Sequence, residues 1–125
     1  MAELKCIDML YEHVSKFLPI SREKYVQTLA GWDINSIELG EEFAGVLMMR
    51  GHEIHVCLDQ YVALRRARKL IRSILISKLN ELGYLVTMAL KSDERAINFI
   101  ERLGFVKTKE DETFVFYRIE NTKFH

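Results

Sequence analysis

Glu53, His55 and Cys57 stand at alternate positions, a carboxylate, an imidazole and a thiol separated by Ile54 and Val56. In an extended strand that spacing turns all three side chains to one face. An imidazole changes charge nearest neutral pH, which makes His55 the titratable candidate of the three, with Glu53 beside it. Cys57 behaves as a small buried hydrophobe unless a base or a positive environment activates its thiol. Just downstream, Arg65, Arg66, Arg68, Lys69 and Arg72 crowd the start of an apolar-periodic segment. Cations at a helix N-terminus oppose the helix dipole, so they are either solvated or matched by an anion such as phosphate.

The elements that position these groups follow from periodicity. A strand over 53–59 leads into a helix over 64–82, with the apolar stripe Leu64, Ala67, Leu70, Ile71, Ile74, Leu75 and Leu79 and an end at Gly83. A strand over 85–91 and a helix over 93–103 follow; that helix buries Ala96, Ile97, Phe99, Ile100 and Leu103 and stops at Gly104. This β-α-β-α order predicts two neighbouring parallel strands joined by a crossover helix. Upstream, Leu4, Ile7, Leu10, Val14 and Phe17 recur at helical spacing before Pro19, and Ser21 is placed to cap a second helix that Gly31 ends. Ile37 and Leu39, then 43–49, then Ile54, Val56 and Leu58 predict an antiparallel meander with turns at Gly40-Glu41-Glu42 and Arg50-Gly51-His52. The chain closes in a hairpin, 105–109 with 113–119, that puts Val115, Tyr117 and Ile119 on one face and Phe114 and Phe116 on the other.

Composition narrows the class. With 49% hydrophobic and 29% charged residues among 125, a single globular domain over 1–125 is expected rather than a disordered tail. No long uninterrupted apolar run and no basic-then-apolar leader are present, so neither a membrane span nor a secretory signal is expected. Cys6 and Cys57 lack metal-ligand spacing and are expected as free thiols in a reducing, cytoplasmic compartment, without a metal. The formal net charge is zero, yet residues 1–62 carry five Lys/Arg against ten Asp/Glu and residues 63–125 thirteen against eight. That split suits a local anionic ligand better than a protein that coats nucleic acid.

The segment Asp93-Glu-Arg-Ala-Ile-Asn-Phe-Ile-Glu-Arg-Leu-Gly104-Phe105 carries a likeness to a known family. Together with the order helix, helix, three antiparallel strands, helix, strand, helix, hairpin, it resembles the GCN5-related N-acetyltransferases (GNAT), shorn of their first strand. Ala96, Phe99, Gly104 and Phe105 match the family's late motif, Asn-x-x-Ala-x-x-Phe-Tyr-x-x-x-Gly-Phe. The likeness runs from about Asp33 to Glu120. It implies an α+β (mixed α/β) fold: a central mixed β-sheet with helices on both faces and two short N-terminal helices.

The resemblance also implies an acetyl-CoA-dependent N-acetyltransferase, in which an amine of a small molecule or a protein attacks the thioester directly. In the family, the helix after the fourth strand opens with Gln/Arg-x-x-Gly-x-Gly/Ala, whose backbone N–H groups hold the pyrophosphate of coenzyme A. Val62, Arg65 and Ala67 fall on those positions. Ala67 fits; Arg65 replaces a glycine that lets phosphate approach the backbone, and Val62 replaces the Gln or Arg. Coenzyme A would then be held by Arg65, Arg66, Ala67, Arg68 and Lys69, by the strand around Cys57 and Leu58, and near Asp93, which stands where Asn is typical. Glu53 and His55 lie where relatives often carry the general base, and Glu41 or Glu42 could reach from the preceding turn. Ile100 takes the place of the tyrosine that commonly protonates the departing thiolate. Tyr61, Tyr84 and Tyr117 are replacements, of which Tyr117 on the final hairpin is the expected acid.

These departures resemble small GNAT-like proteins of short-tailed bacteriophages, some of them internal virion proteins. They imply an alternative, a GNAT-fold binding or structural module that contacts phage or host proteins or a second copy of itself, in host cytoplasm or virion. Nucleic-acid binding by the Arg-rich helix ranks last, because the total charge is neutral and no aromatic residues interleave the cations.

Overall fold

A computed structural model describes residues 3–59 and 64–120. The elements come in the predicted order: α1 (Leu4–Ser15), α2 (Arg22–Thr28), β1 (Asp33–Leu39), β2 (Glu42–Arg50), β3 (Glu53–Leu58), α3 (Leu64–Leu82), β4 (Tyr84–Leu90), α4 (Glu94–Arg102), β5 (Val106–Glu110) and β6 (Phe114–Glu120). The strands form one mixed sheet in the order β1-β2-β3-β4-β6-β5. β3 and β4 are its parallel pair, joined by the α3 crossover, and the other neighbours are antiparallel.

Each face of the sheet carries its own core. On one, Ala67, Ile71, Leu75 and Leu79 recur every fourth residue along α3 and are buried with Ile54, Leu85, Val115, Tyr117 and Ile119. Leu103 and Phe105, just past α4, join the same cluster. Arg72 Nη2 donates to the Arg102 carbonyl at 3.2 Å and ties α3 to the end of α4. On the other face, Cys6 and Leu10 of α1 cluster with Tyr25, Leu29, Val46 and Met48. Ser21 caps α2 as expected, its hydroxyl accepting from the Lys24 N–H at 3.3 Å.

β2 serves both cores through a bulge. Its register against β1 runs Ile37 to Gly45 and then Glu38 to Phe43, which leaves Ala44 without an opposite residue. Ala44 therefore joins Leu47 and Met49 on the α3 face, while Phe43, Val46 and Met48 face α1 and α2. Beside the bulge, Gly45 lies against the backbone of β3. A Cβ there would collide with the Cys57 carbonyl oxygen and stand 3.1 Å from Leu58 Cα. No side chain fits at that position.

Candidate functional site

β3 and β4 share one register pair, Glu53 with Val86, beside which the Val86 N–H donates to the His52 carbonyl at 2.9 Å. Pairing ends there, and the strands open a cavity of about 430 Å³ that reaches both cores. β3 lines it with Ile54 to Cys57, β4 with Thr87 to Leu90, and α4 with Ala96, Phe99 and Ile100. His13, Tyr25 and Trp32 enter from the N-terminal part of the chain. The wall is mostly apolar, with a few polar groups at fixed places, the usual character of a small-ligand site.

Alternation along β3 decides which backbone groups face the gap. The His52 carbonyl looks toward β4, whereas the Asp59 N–H donates to Ala44 of β2 at 2.8 Å. By the same alternation the N–H groups of Val56 and Leu58 face the side β4 has left, and that of Cys57 faces β2. Of Cys57 and Leu58, the two expected backbone donors, Leu58 turns its N–H to the gap and Cys57 does not, while Val56 does. Two donors at the edge of an apolar cavity suit an oxygen that gains negative charge.

His55 and Glu53 are brought together on the cavity side. His55 Nε2 lies 2.6 Å from Glu53 Oε2. A carboxylate only accepts, so Nε2 carries the proton in this contact, and the tautomer with Nε2–H is the one that has its lone pair on Nδ1. Nδ1 stands 3.5 Å from Thr87 Oγ1 of β4, a long contact across the mouth of the gap. The hydrogen bond from His55 holds the Glu53 carboxyl below the usual carboxylate range. Trp32 meets the His55 ring edge-on, with centroids 5.4 Å apart. Glu41 and Glu42 stand exposed at the β1–β2 turn and do not line the cavity.

The half-buried Cys57 side chain borders this cavity and a smaller one of about 70 Å³. Burial, with the nearby Asp93 charge adding to it, pushes the thiol up to about 12, so Cys57 stays protonated at neutral pH. Asp93 is buried and caps α4. Its Oδ1 accepts from the Ala96 N–H at 3.2 Å, and its Oδ2 accepts from His13 Nε2 at 2.9 Å. Asp93→Ala removes a helix cap and leaves His13 without its acceptor. Denaturant melts are expected to show a loss of about 1–2 kcal/mol.

The basic helix divides by face. Ala67 is fully buried, Arg68 is half-buried, and Arg65, Arg66 and Lys69 are exposed. Among the described residues none of these four cations is in an ion pair. Val62 and Tyr61 lie outside the described residues. Tyr117 is 2% exposed, within the α3 core, and its hydroxyl donates to Glu101 Oε2 at 2.8 Å. Burial first, and then Glu101, push that phenol up to about 12. Tyr117 does not line the cavity; Ile100 does. The Tyr84 ring is occupied by His52, stacked at 4.0 Å, and by the Arg118 guanidinium at 4.0 Å.

Among the lining residues that sequence reasoning assigns to no site are His13, Trp32, Arg50 and Thr87. His13 reaches Asp93 from 80 residues away, and nothing local marks it. Arg50 had a usable signal, since the tight turn over Gly51 and His52 sets it opposite Glu53.

Solved structures similar to this chain include acetyltransferases. An acetyltransferase of the GNAT family from Bacillus anthracis is 15% identical, with a TM-score of 0.69 over 96% of this chain and 92% of its own. Spermidine N-acetyltransferase from Vibrio cholerae, in complex with CoA and spermine, is 13% identical, with a TM-score of 0.69 over 98% and 94%. The Campylobacter jejuni N-acetyltransferase PseH, in complex with acetyl coenzyme A, is 14% identical, with a TM-score of 0.66 over 95% and 92%. No family model and no curated protein matches the sequence. The chain has the fold of the GNAT acetyltransferases.

Proposed function

We propose that this chain is an N-acetyltransferase that uses acetyl-CoA and transfers the acetyl group to an amine by direct attack. The observation that carries this reading is the gap between β3 and β4, an apolar cavity lined by His55, whose ring is hydrogen-bonded to Glu53. Acetyl-CoA, when bound, supplies an activated thioester. Val56 and Leu58 N–H groups are placed to donate to its carbonyl oxygen, and the apolar wall keeps water from competing. His55 Nδ1 takes the proton that the amine sheds as the new C–N bond forms; the C–S bond would break in the same transfer, and the thiolate would leave and take its proton from solvent. Glu53 fixes the ring through Nε2–H and stabilises the imidazolium. Arg65, Arg66, Arg68 and Lys69, on the first turns of α3, offer charge-assisted hydrogen bonds to phosphates, in place of the backbone contact that the glycine at position 65 would give. Cys57 and Asp93 border the pantetheine side as packing groups.

Thiol release in a panel of amines, proportional to protein concentration, is the expected result. A flat baseline across the panel, with no binding of acetyl-CoA at millimolar concentration, removes the proposal. The double substitution Arg65→Glu with Arg68→Glu is expected to weaken acetyl-CoA about tenfold or more, read by calorimetry. Unchanged affinity would move the phosphate contact elsewhere.

Ile100 in the cavity wall itself supplies no hydroxyl to protonate a leaving thiolate, which favours a second reading. On it the chain is a GNAT-fold binding or structural protein, a phage virion component or host-interaction factor. Acetylated amine formed in proportion to protein eliminates that reading.

A further inference from the structure

The α2 end of the cavity is lined by Tyr25, Thr28, Leu29, Trp32, Met48 and Arg50. In the β2–β3 pairing Arg50 stands opposite Glu53 and Met48 opposite His55, and cross-strand partners share a face. Arg50, Glu53 and His55 therefore occupy one patch. Glu53 is engaged with His55, and among the described residues Arg50 is in no ion pair. Its guanidinium lies over the Trp32 indole, 4.4 Å from the ring centroid. A guanidinium stacked in this way keeps its edge of N–H donors free, and that edge matches a carboxylate or phosphate in two parallel bonds.

Resting on the proposed acetyl transfer, we infer that the acceptor is an amine that also carries a compact anionic group, bound by Arg50, and an apolar body against Leu29, Met48 and Trp32. A polyamine is the wrong partner for this end of the cavity. Its second ammonium would meet the Arg50 charge, and the carboxylate across from Arg50, Glu53, is already engaged by His55.

Trp32 is the single tryptophan of the chain, so its emission reports on this site alone. Four amines serve as probes for titration: leucine, leucinamide, O-phosphoethanolamine and spermidine. Leucine or O-phosphoethanolamine is expected to bind at least about tenfold tighter than leucinamide, and spermidine weakest of all. Which anionic amine binds tighter separates a carboxylate from a phosphate site. Arg50→Gln should bring the preference to within about twofold, and Arg50→Glu should invert it in favour of spermidine. The inference is overturned if leucinamide or spermidine binds as tightly as both anionic amines, if none of the four changes the emission, or if the preference survives Arg50→Gln. A separate acetyl-CoA titration reads the proposed function. Acetyl-CoA binding without an anion preference overturns only the acceptor assignment, and an anion preference without acetyl-CoA binding overturns only the transfer.

Discussion

His55→Ala is expected to lower kcat/KM by about 10² to 10⁴-fold while leaving acetyl-CoA affinity within about twofold. An ammonium substrate cannot attack a thioester until it has lost a proton, and in the proposed mechanism that proton goes to His55, which lines the cavity and has its other nitrogen committed to Glu53. The hydrogen bond of 2.6 Å to Glu53 sets which nitrogen that is. Glu53→Gln keeps an acceptor for Nε2–H but removes the charge that stabilises the imidazolium, so a smaller fall in kcat with unchanged acetyl-CoA affinity is expected. The pair also leaves a mark on stability. In the folded chain Glu53 titrates below its usual range. Its contribution is full above the unfolded-state value and fades as pH falls through the folded-state value. His55→Ala should flatten that acid-side slope in denaturant melts. Full activity of His55→Ala across the pH range would place the base elsewhere.

Gly45→Ala is expected to destabilise the fold by about 3 kcal/mol, or a melting temperature lower by about 10 °C. At the other glycines an added methyl meets open space or, at Gly104, the tip of the Ile119 side chain at 3.4 Å. Here it meets the Cys57 carbonyl and Leu58 Cα, both backbone atoms of a strand held in register on β2. Relief requires β2 and β3 to separate, or β3 to shift toward the gap. The second route narrows the cavity, so acetyl-CoA affinity should fall along with stability. A variant that melts within about 0.5 kcal/mol of the parent would show that the close approach of these backbones is not a constraint.

The order of elements was legible because the local signals agree with the tertiary ones. The fourfold spacing of Ala67, Ile71, Leu75 and Leu79, stopped by Gly83, fixes the crossover helix, and the helix at its full length is what the structure shows. Alternation likewise set Val115, Tyr117 and Ile119 on one face. What alternation could not say is which face meets which ligand: the Tyr117 side packs on α3, and its hydroxyl is held by Glu101. The Ala44 bulge was illegible for a related reason. One extra residue inverts the pattern, and nothing in a run of apolar residues marks where it falls. In the site, Glu53 and His55 could be read because they are neighbours in sequence. His13–Asp93 and His55–Thr87 could not, since each joins elements far apart in sequence that only the folded sheet brings together.

The divergence of β4 from β3 is the centre of the account. It is tested most directly by titrating acetyl-CoA into the isotopically labelled protein while following backbone amide resonances. One-to-one binding is expected, with the largest shifts at Val56 and Leu58 of β3 and at Met88 and Leu90 of β4, whose N–H groups face the gap by the same alternation, and with shifts in the first turns of α3. Amide resonances that stay unmoved at millimolar acetyl-CoA, or shifts confined to residues away from the β3–β4 gap, would contradict it.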